Sequence, residues 1–330
     1  MATRKGRTLA TRKARKVKKP QRSARGKSQA IAVGEQLAAE VIRFRTQSLR
    51  RRASAVRRAP TRARALVAPR LVRAAGGAAR TGVLVAEGDS WFDYPWHDVL
   101  RMLEDEHGYD VESVAHMGDR VEDMAYSGGQ LEKFARTIEK LLRQSVVPTA
   151  ILLSGGGNDV AGDEFGMLLN HARSATPGLN LDVVRGVIED RVRNAYVTIL
   201  SAVTALCRER IDDVVPIIVH GYDHAVPDGR GYAGGWGPLP GPWLEPGFRA
   251  KGFEDLDKTT RMVGELIDRF NDMLRGVANT PGFGHVHYLD LRSTLPNGAS
   301  YKTWWANELH PTKRGFSDVA NKFAATIATL

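Results

Sequence analysis

The sequence predicts an α/β domain over residues 81–330: a three-layer α/β/α sandwich around a five-stranded parallel sheet, preceded by a basic arm. Three observations predict it. Short, near-continuous apolar runs recur along the chain, as strands buried on both faces require. Segments with apolar residues at helical spacing lie between them, the alternation that builds parallel sheets. Charge divides near residue 80. Residues 1–80 hold 24 Lys and Arg against Glu35 and Glu40 alone, for +22, whereas the remainder carries −11 and the whole chain +11.

Residues 1–30 are Lys, Arg, Ser, Thr, Gln and Ala with almost nothing to bury, a composition that predicts disorder. Ile31, Leu37, Val41, Ile42 and Leu49 recur among arginines and predict a basic amphipathic helix over 31–58. Pro60, Pro69 and the pair Gly76-Gly77 mark a linker, so the arm is read as 1–80. Candidate strands then follow at Val83–Ala86, Val111–Ala115, Ala150–Leu153, Val214–Val219 and Val286–Leu291. Helical patterns cover about 129–146, 180–209, 257–278 and 313–329. About 250 residues make one such domain, with its ligand crevice expected beyond the carboxyl ends of the strands.

Several classes fall away. No apolar run reaches the ~18 residues of a membrane-spanning helix, and the basic N-terminus lacks the apolar stretch of a secretory signal. One cysteine, Cys207, excludes an internal disulfide framework and reads as a buried structural thiol. A cytoplasmic setting is therefore expected. For the arm, several readings stay open: a solvated tail, an organellar transit peptide, or unspecific contact of residues 1–58 with nucleic acid or an anionic membrane. Oligomeric state is not legible.

Chemistry-bearing residues gather at the predicted strand ends. After the first strand comes Gly88-Asp89-Ser90-Trp91, and after the second Gly118-Asp119. After the third comes Gly155-Gly156-Gly157-Asn158-Asp159, and before the last helix Asn307-Glu308-Leu309-His310-Pro311-Thr312. A serine hydroxyl is a poor nucleophile until a neighbouring base accepts its proton. Donors already aimed at the developing oxyanion each contribute about 3–4 kcal/mol to the transition state.

In this order the blocks resemble the SGNH (GDSL-type) hydrolase superfamily, over roughly residues 82–328. The resemblance implies a flavodoxin-like fold, no cofactor, and cleavage of carboxylic esters through an acyl-enzyme. It implies Ser90 as nucleophile, His310 as base, and an oxyanion hole from the Ser90 N–H, the Gly118 N–H and the Asn158 side chain. Substrates would be small-molecule, lipid or sugar esters. One position departs from the pattern: the family's Asp three residues before the histidine is here Asn307. In serine proteases an Asp→Asn change at the orienting residue costs about 10⁴ in rate. Three readings follow: the Asn307 oxygen holds His310, Glu308 or another acid does so, or the body is weak or vestigial. In the last case the chain would act through its arm as a nucleic-acid or anionic-membrane binding protein.

Tryptophans crowd the same loops. Trp91 and Trp96 follow the serine, Trp304 and Trp305 precede the histidine, and Trp236 and Trp243 sit in a Gly/Pro-rich insertion over 222–253. So long a structureless loop inside a compact domain is usually a functional lid or binding loop. Asp89, Trp91, Trp236, Trp243 and Trp305 are accordingly the candidate substrate-binding residues. His220, Asp223 and His224 are read as shaping that loop rather than holding a metal, and Asp119 and Asp159 as turn residues.

Overall fold

The computed structural model describes residues 81–127, 129–234 and 239–330, together with Gln47, Arg50, Arg51, Ser54, Ala55 and Arg57. The chain divides into Met1–Gln47 and Ser48–Leu330. Of the first unit only Gln47 is described, so the expected disorder of 1–30 falls outside the described residues, as does most of the expected 31–58 helix. The six described residues of that helix are helical, with Ala55 buried and Arg51 paired with Asp105 at 2.9 Å.

Five parallel strands form the sheet: β1 (Val83–Glu87), β2 (Asp110–Ser113), β3 (Ala150–Leu153), β4 (Ile217–His220) and β5 (Val286–Leu289), in the order β2-β1-β3-β4-β5. Every residue of β1, β3 and β4 is buried, which is why they read as continuous apolar runs. Edge strand β2 leaves Glu112 and Ser113 exposed and starts one residue before the predicted run. Because the chain goes from β1 outward to β2 and back to β3, the order reverses between β1 and β3. That switch point is where an open α/β sheet has its crevice.

Helices flank the sheet. One group is α1 (Val99–His107) with the C-terminal helix Lys313–Ile327. α1 lies outside the predicted helices, although Asp98 caps it by accepting from the Arg101 N–H at 2.8 Å and Val99, Leu100, Met102 and Leu103 supply its buried face. Next come α2 (Val121–Tyr126) and α3 (Gln130–Arg143), then α4 (Leu181–Val184), which runs through π-helical turns over Arg185–Val192 into α5 (Arg193–Ile211). Val184, Ile188 and Val192 are all buried, so the wider π turns keep residues four apart on one face. Cys207 of α5 is a buried free thiol.

The 222–253 insertion is not structureless. It contains α6 (Glu245–Ala250), where Pro246 occupies the first turn, the one place a helix tolerates proline. α7 (Leu256–Ala278) is capped by Asp255, and α8 (Lys313–Ile327) by Thr312, two residues past His310. Among the described residues no helix is long and apolar enough to cross a membrane.

Candidate active site

The serine turn follows directly from its sequence. β1 ends at Glu87, and a side chain at Gly88 would bring its Cβ within 2.7 Å of the Ser154 Cβ, so only glycine lets β1 and β3 approach there. Asp89 then folds the chain over: its Oδ1 accepts from the Trp91 N–H at 3.0 Å and from the Ser154 hydroxyl at 2.8 Å. Its Oδ2 accepts from the Tyr222 hydroxyl. Asp89 is thus buried and fully engaged in holding the turn, while Ser90 lines a cavity.

The histidine turn is built by Asn307. Its Oδ1 accepts from the Leu309 N–H at 3.0 Å, the His310 N–H at 2.9 Å and His310 Nδ1 at 3.0 Å. Its amide nitrogen donates to the Tyr94 hydroxyl at 3.1 Å. Two backbone donors on one atom identify that atom as the oxygen, so His310 Nδ1 must carry the proton. His310 Nε2 is then the lone-pair nitrogen, and it lies 2.7 Å from Ser90 Oγ. The ring is stacked under Tyr94 (centroids 4.2 Å, 19°) and meets Trp243 edge-on at 5.4 Å. This burial pushes the imidazole down to about 3, so it stays neutral through the ordinary pH range.

Glu308 makes no direct hydrogen bond to the ring among the described residues. Its two oxygens are occupied by the backbone N–H groups of Gly229, Trp243, Leu244 and Glu245. Burial raises its carboxyl and those four bonds lower it.

Gly118 lies on the loop after β2, which His116 ties to the serine turn by an N–H bond to Gly88 O at 2.9 Å. Its φ of +92° suits glycine, and a Cβ there would meet nothing within 4 Å among the described residues. Among the described residues neither the Ser90 N–H nor the Gly118 N–H donates to a protein acceptor. Asn158 lines the same cavity as Ser90 and uses one amide N–H on Asp119 O at 3.0 Å. Asp159 caps α2, accepting from the Val121 N–H at 2.9 Å, and burial pushes it up to about 6.

Ser90, Asp89, Asn158, Trp91 and Trp305 all line one cavity, whose space, open mouth included, is about 720 Å³. Its far walls are apolar: Val160, Ala161, Phe165, Ile188, Leu244, Val263, Leu266 and Phe270. Trp91 and Trp305 are nearly fully buried, and the Trp91 indole N–H donates to Leu309 O at 3.0 Å, bracing the histidine turn. Trp243 lies over His310 rather than along the cavity wall, and Trp236 falls outside the described residues. In the sequence the α7 wall of Val263, Leu266 and Phe270 lies within the helical pattern over about 257–278 and carries no mark of a pocket. Nothing in a helical apolar stripe separates a pocket wall from a core contact.

The residues read as shaping the insertion are bound as follows. Asp223 accepts from the backbone N–H groups of His224, Ser293, Thr294 and Leu295. His224 Nε2 lies 3.0 Å from Asp268, and His220 is buried among Trp91, Phe92 and Phe323.

No protein-family model and no curated protein matches the chain. Solved structures do. A lipase from a goat rumen metagenome aligns at TM-score 0.43 and 13% identity, over 74% of this chain and 96% of that one. The α/β hydrolase LAE5 from the metagenome of Lake Arreo aligns at 0.42 and 16%, over 76% and 96%. A catalytic mutant of the acetylxylan esterase Axe2 from Geobacillus stearothermophilus aligns at 0.41 and 16%, over 75% and 94%. These are likenesses of architecture, and the chain's central fold is the five-stranded parallel α/β/α sandwich described above.

Proposed function

We propose that this chain is a serine hydrolase of carboxylic esters of the SGNH type. The observation that carries the reading is the line Ser90 Oγ–His310 Nε2 at 2.7 Å and His310 Nδ1–Asn307 Oδ1 at 3.0 Å, set at one end of an apolar cavity. A neutral Nε2 accepts the Ser90 proton as Oγ attacks the ester carbonyl. Negative charge then develops on the carbonyl oxygen, where the Ser90 N–H, the Gly118 N–H and the Asn158 amide serve as donors. His310 returns the proton to the departing alcohol. A water activated by the same nitrogen releases the acid and regenerates Ser90.

Asn307 supports this chemistry without a charge. It fixes the tautomer, which is a large part of what the orienting residue does in a triad. What it omits is electrostatic stabilisation of the imidazolium. The apolar cavity favours an apolar part of the ester, and we place the acyl group there, against Phe270 and Val263.

The test is hydrolysis of p-nitrophenyl esters of increasing chain length by the full chain and by Ser90→Ala, with fluorophosphonate labelling read by intact mass. Turnover should fall about 10⁴-fold or more in Ser90→Ala, with one label added to the wild type at Ser90. Retained turnover in Ser90→Ala would overturn the assignment, as would a wild type that neither turns over nor labels.

A further inference from the structure

Glu308 sits between the two residues of the histidine turn and is wholly buried, yet it makes no contact with substrate space. A buried carboxylate persists only where its lone pairs are satisfied. Here they are filled from both arms of the insertion. Oε1 accepts from Gly229 N–H at 2.9 Å in the outgoing arm and from Glu245 N–H at 3.1 Å in the returning arm. Oε2 accepts from Trp243 N–H at 2.7 Å and Leu244 N–H at 2.8 Å. The Glu308 N–H donates back to Arg230 O at 3.3 Å, and Arg230 Nη1 donates to Trp305 O and Ala306 O, each at 3.0 Å. The arms also meet one another, through Tyr232 N–H to Pro240 O at 2.8 Å.

From this geometry we infer that Glu308 is a positioning residue: it clasps the 222–253 insertion onto the histidine turn and thereby seats Trp243 against the His310 ring. The inference rests on the hydrolase reading for its catalytic consequence, but not for the clasp itself. Four N–H donors converging on two oxygens suit a carboxylate, which has about four acceptor sites and no donor. An amide in its place would aim its own N–H groups at backbone N–H groups. Because Trp243 donates its N–H to Glu308 and packs edge-on against the imidazole, the seat of the insertion and the seat of the histidine share one residue.

Three variants of the full chain test this: Glu308→Gln, Trp243→Ala and the double variant, with Glu308→Asp as the conservative control. Amide hydrogen exchange at 229 and 243–245 should speed up by about 10-fold or more in Glu308→Gln, while β1 and β3 stay protected. The downfield His310 Nδ1–H resonance should broaden or vanish in Glu308→Gln and in Trp243→Ala. kcat should fall about 10- to 100-fold in each with a smaller change in KM, and the double variant should fall little further, because both act through one contact. Glu308→Asp should recover part of the loss. Multiplying kcat losses in the double variant would overturn the positioning role, as would unchanged exchange in Glu308→Gln. Should Glu308→Gln fail to fold, Trp243→Ala against Glu308→Asp carries the same comparison. Exchange and the Nδ1–H resonance read out without turnover. A wild type lacking Ser90-dependent hydrolysis therefore overturns the hydrolase reading alone, leaving these two signals to decide the clasp.

Discussion

At the scale of single residues, the departure at Asn307 has a pH signature. The imidazole of His310 is pushed from 6.5 down to about 3, with burial as the cause. A base that protonates so low is already neutral at pH 5, so the acid limb of kcat/KM should lie below pH 5 rather than near 6.5. Asn307→Asp would place a carboxylate on the Nδ1–H and raise that pKa. Its acid limb should move upward, with a neutral-pH rate equal to or above wild type. Asn307→Ala removes the acceptor for Nδ1 and for two backbone N–H groups, so rate should drop at least about 10-fold and stability by about 1–3 kcal/mol. A pH–rate series on one p-nitrophenyl ester checks all three, and an unchanged rate in Asn307→Ala removes Asn307 from the mechanism. The substitution itself was legible in the sequence as Asn307-Glu308-Leu309-His310. That its oxygen holds the ring is one of three readings the sequence leaves open, because the atom that faces the ring depends on the turn its own oxygen builds.

At the scale of elements, legibility followed burial. Strands buried on both faces announce themselves as apolar runs; the half-exposed β2 is legible only with shifted bounds, as Val111–Ala115 for Asp110–Ser113, and α1 lies outside the predicted helices. The π turns over Arg185–Val192 were read as ordinary α-helix, since a spacing of four among Val184, Ile188 and Val192 is compatible with either. In the insertion, Pro246 and Gly247 concealed α6. The pocket wall on α7 yields a prediction of its own. Val263 and Phe270 line the cavity that opens at Ser90, so filling it from α7 should shorten the acyl chain accepted. Val263→Phe should shift the preferred p-nitrophenyl ester toward acetate, and Phe270→Ala toward longer chains, each by about 10-fold in the ratio of kcat/KM values. A chain-length series that leaves those ratios unmoved in both variants would place the acyl group elsewhere. Gly156, at φ +102°, fixes the limit of this wall, because a Cβ there would come within 2.4 Å of the Phe270 ring.

For the whole molecule, the charge split seen in the sequence says little about the cleft at Ser90, but one buried carboxyl two residues before Asp89 gives stability a pH dependence. Glu87, the last residue of β1, is 1% exposed; Oε1 accepts from the Gly88 N–H at 3.0 Å, and Oε2 has no hydrogen-bond partner among the described residues. Burial pushes its carboxyl from 4.5 up to about 8, with Asp119 adding to the rise. The folded chain therefore keeps this proton up to about pH 8, while the unfolded chain releases it near 4.5. Between those values the fold binds more protons than the unfolded state, so this contribution is whole below pH 4.5 and is lost as pH rises through 8. At about 1.4 kcal/mol per pKa unit the swing amounts to several kcal/mol. Histidines held low by burial, His310 among them, act in the opposite sense below pH 6.5, so the wild-type curve alone does not isolate Glu87. Comparison with Glu87→Gln does. The amide cannot ionise, and its N–H₂ group enters the space where Oε2 has no partner, which costs about 1–3 kcal/mol at every pH. Thermal melts from pH 5 to pH 9 should show the variant less stable at pH 5, with the gap closing or reversing by pH 9. Parallel curves would mean that Glu87 is ionised in the fold throughout that range.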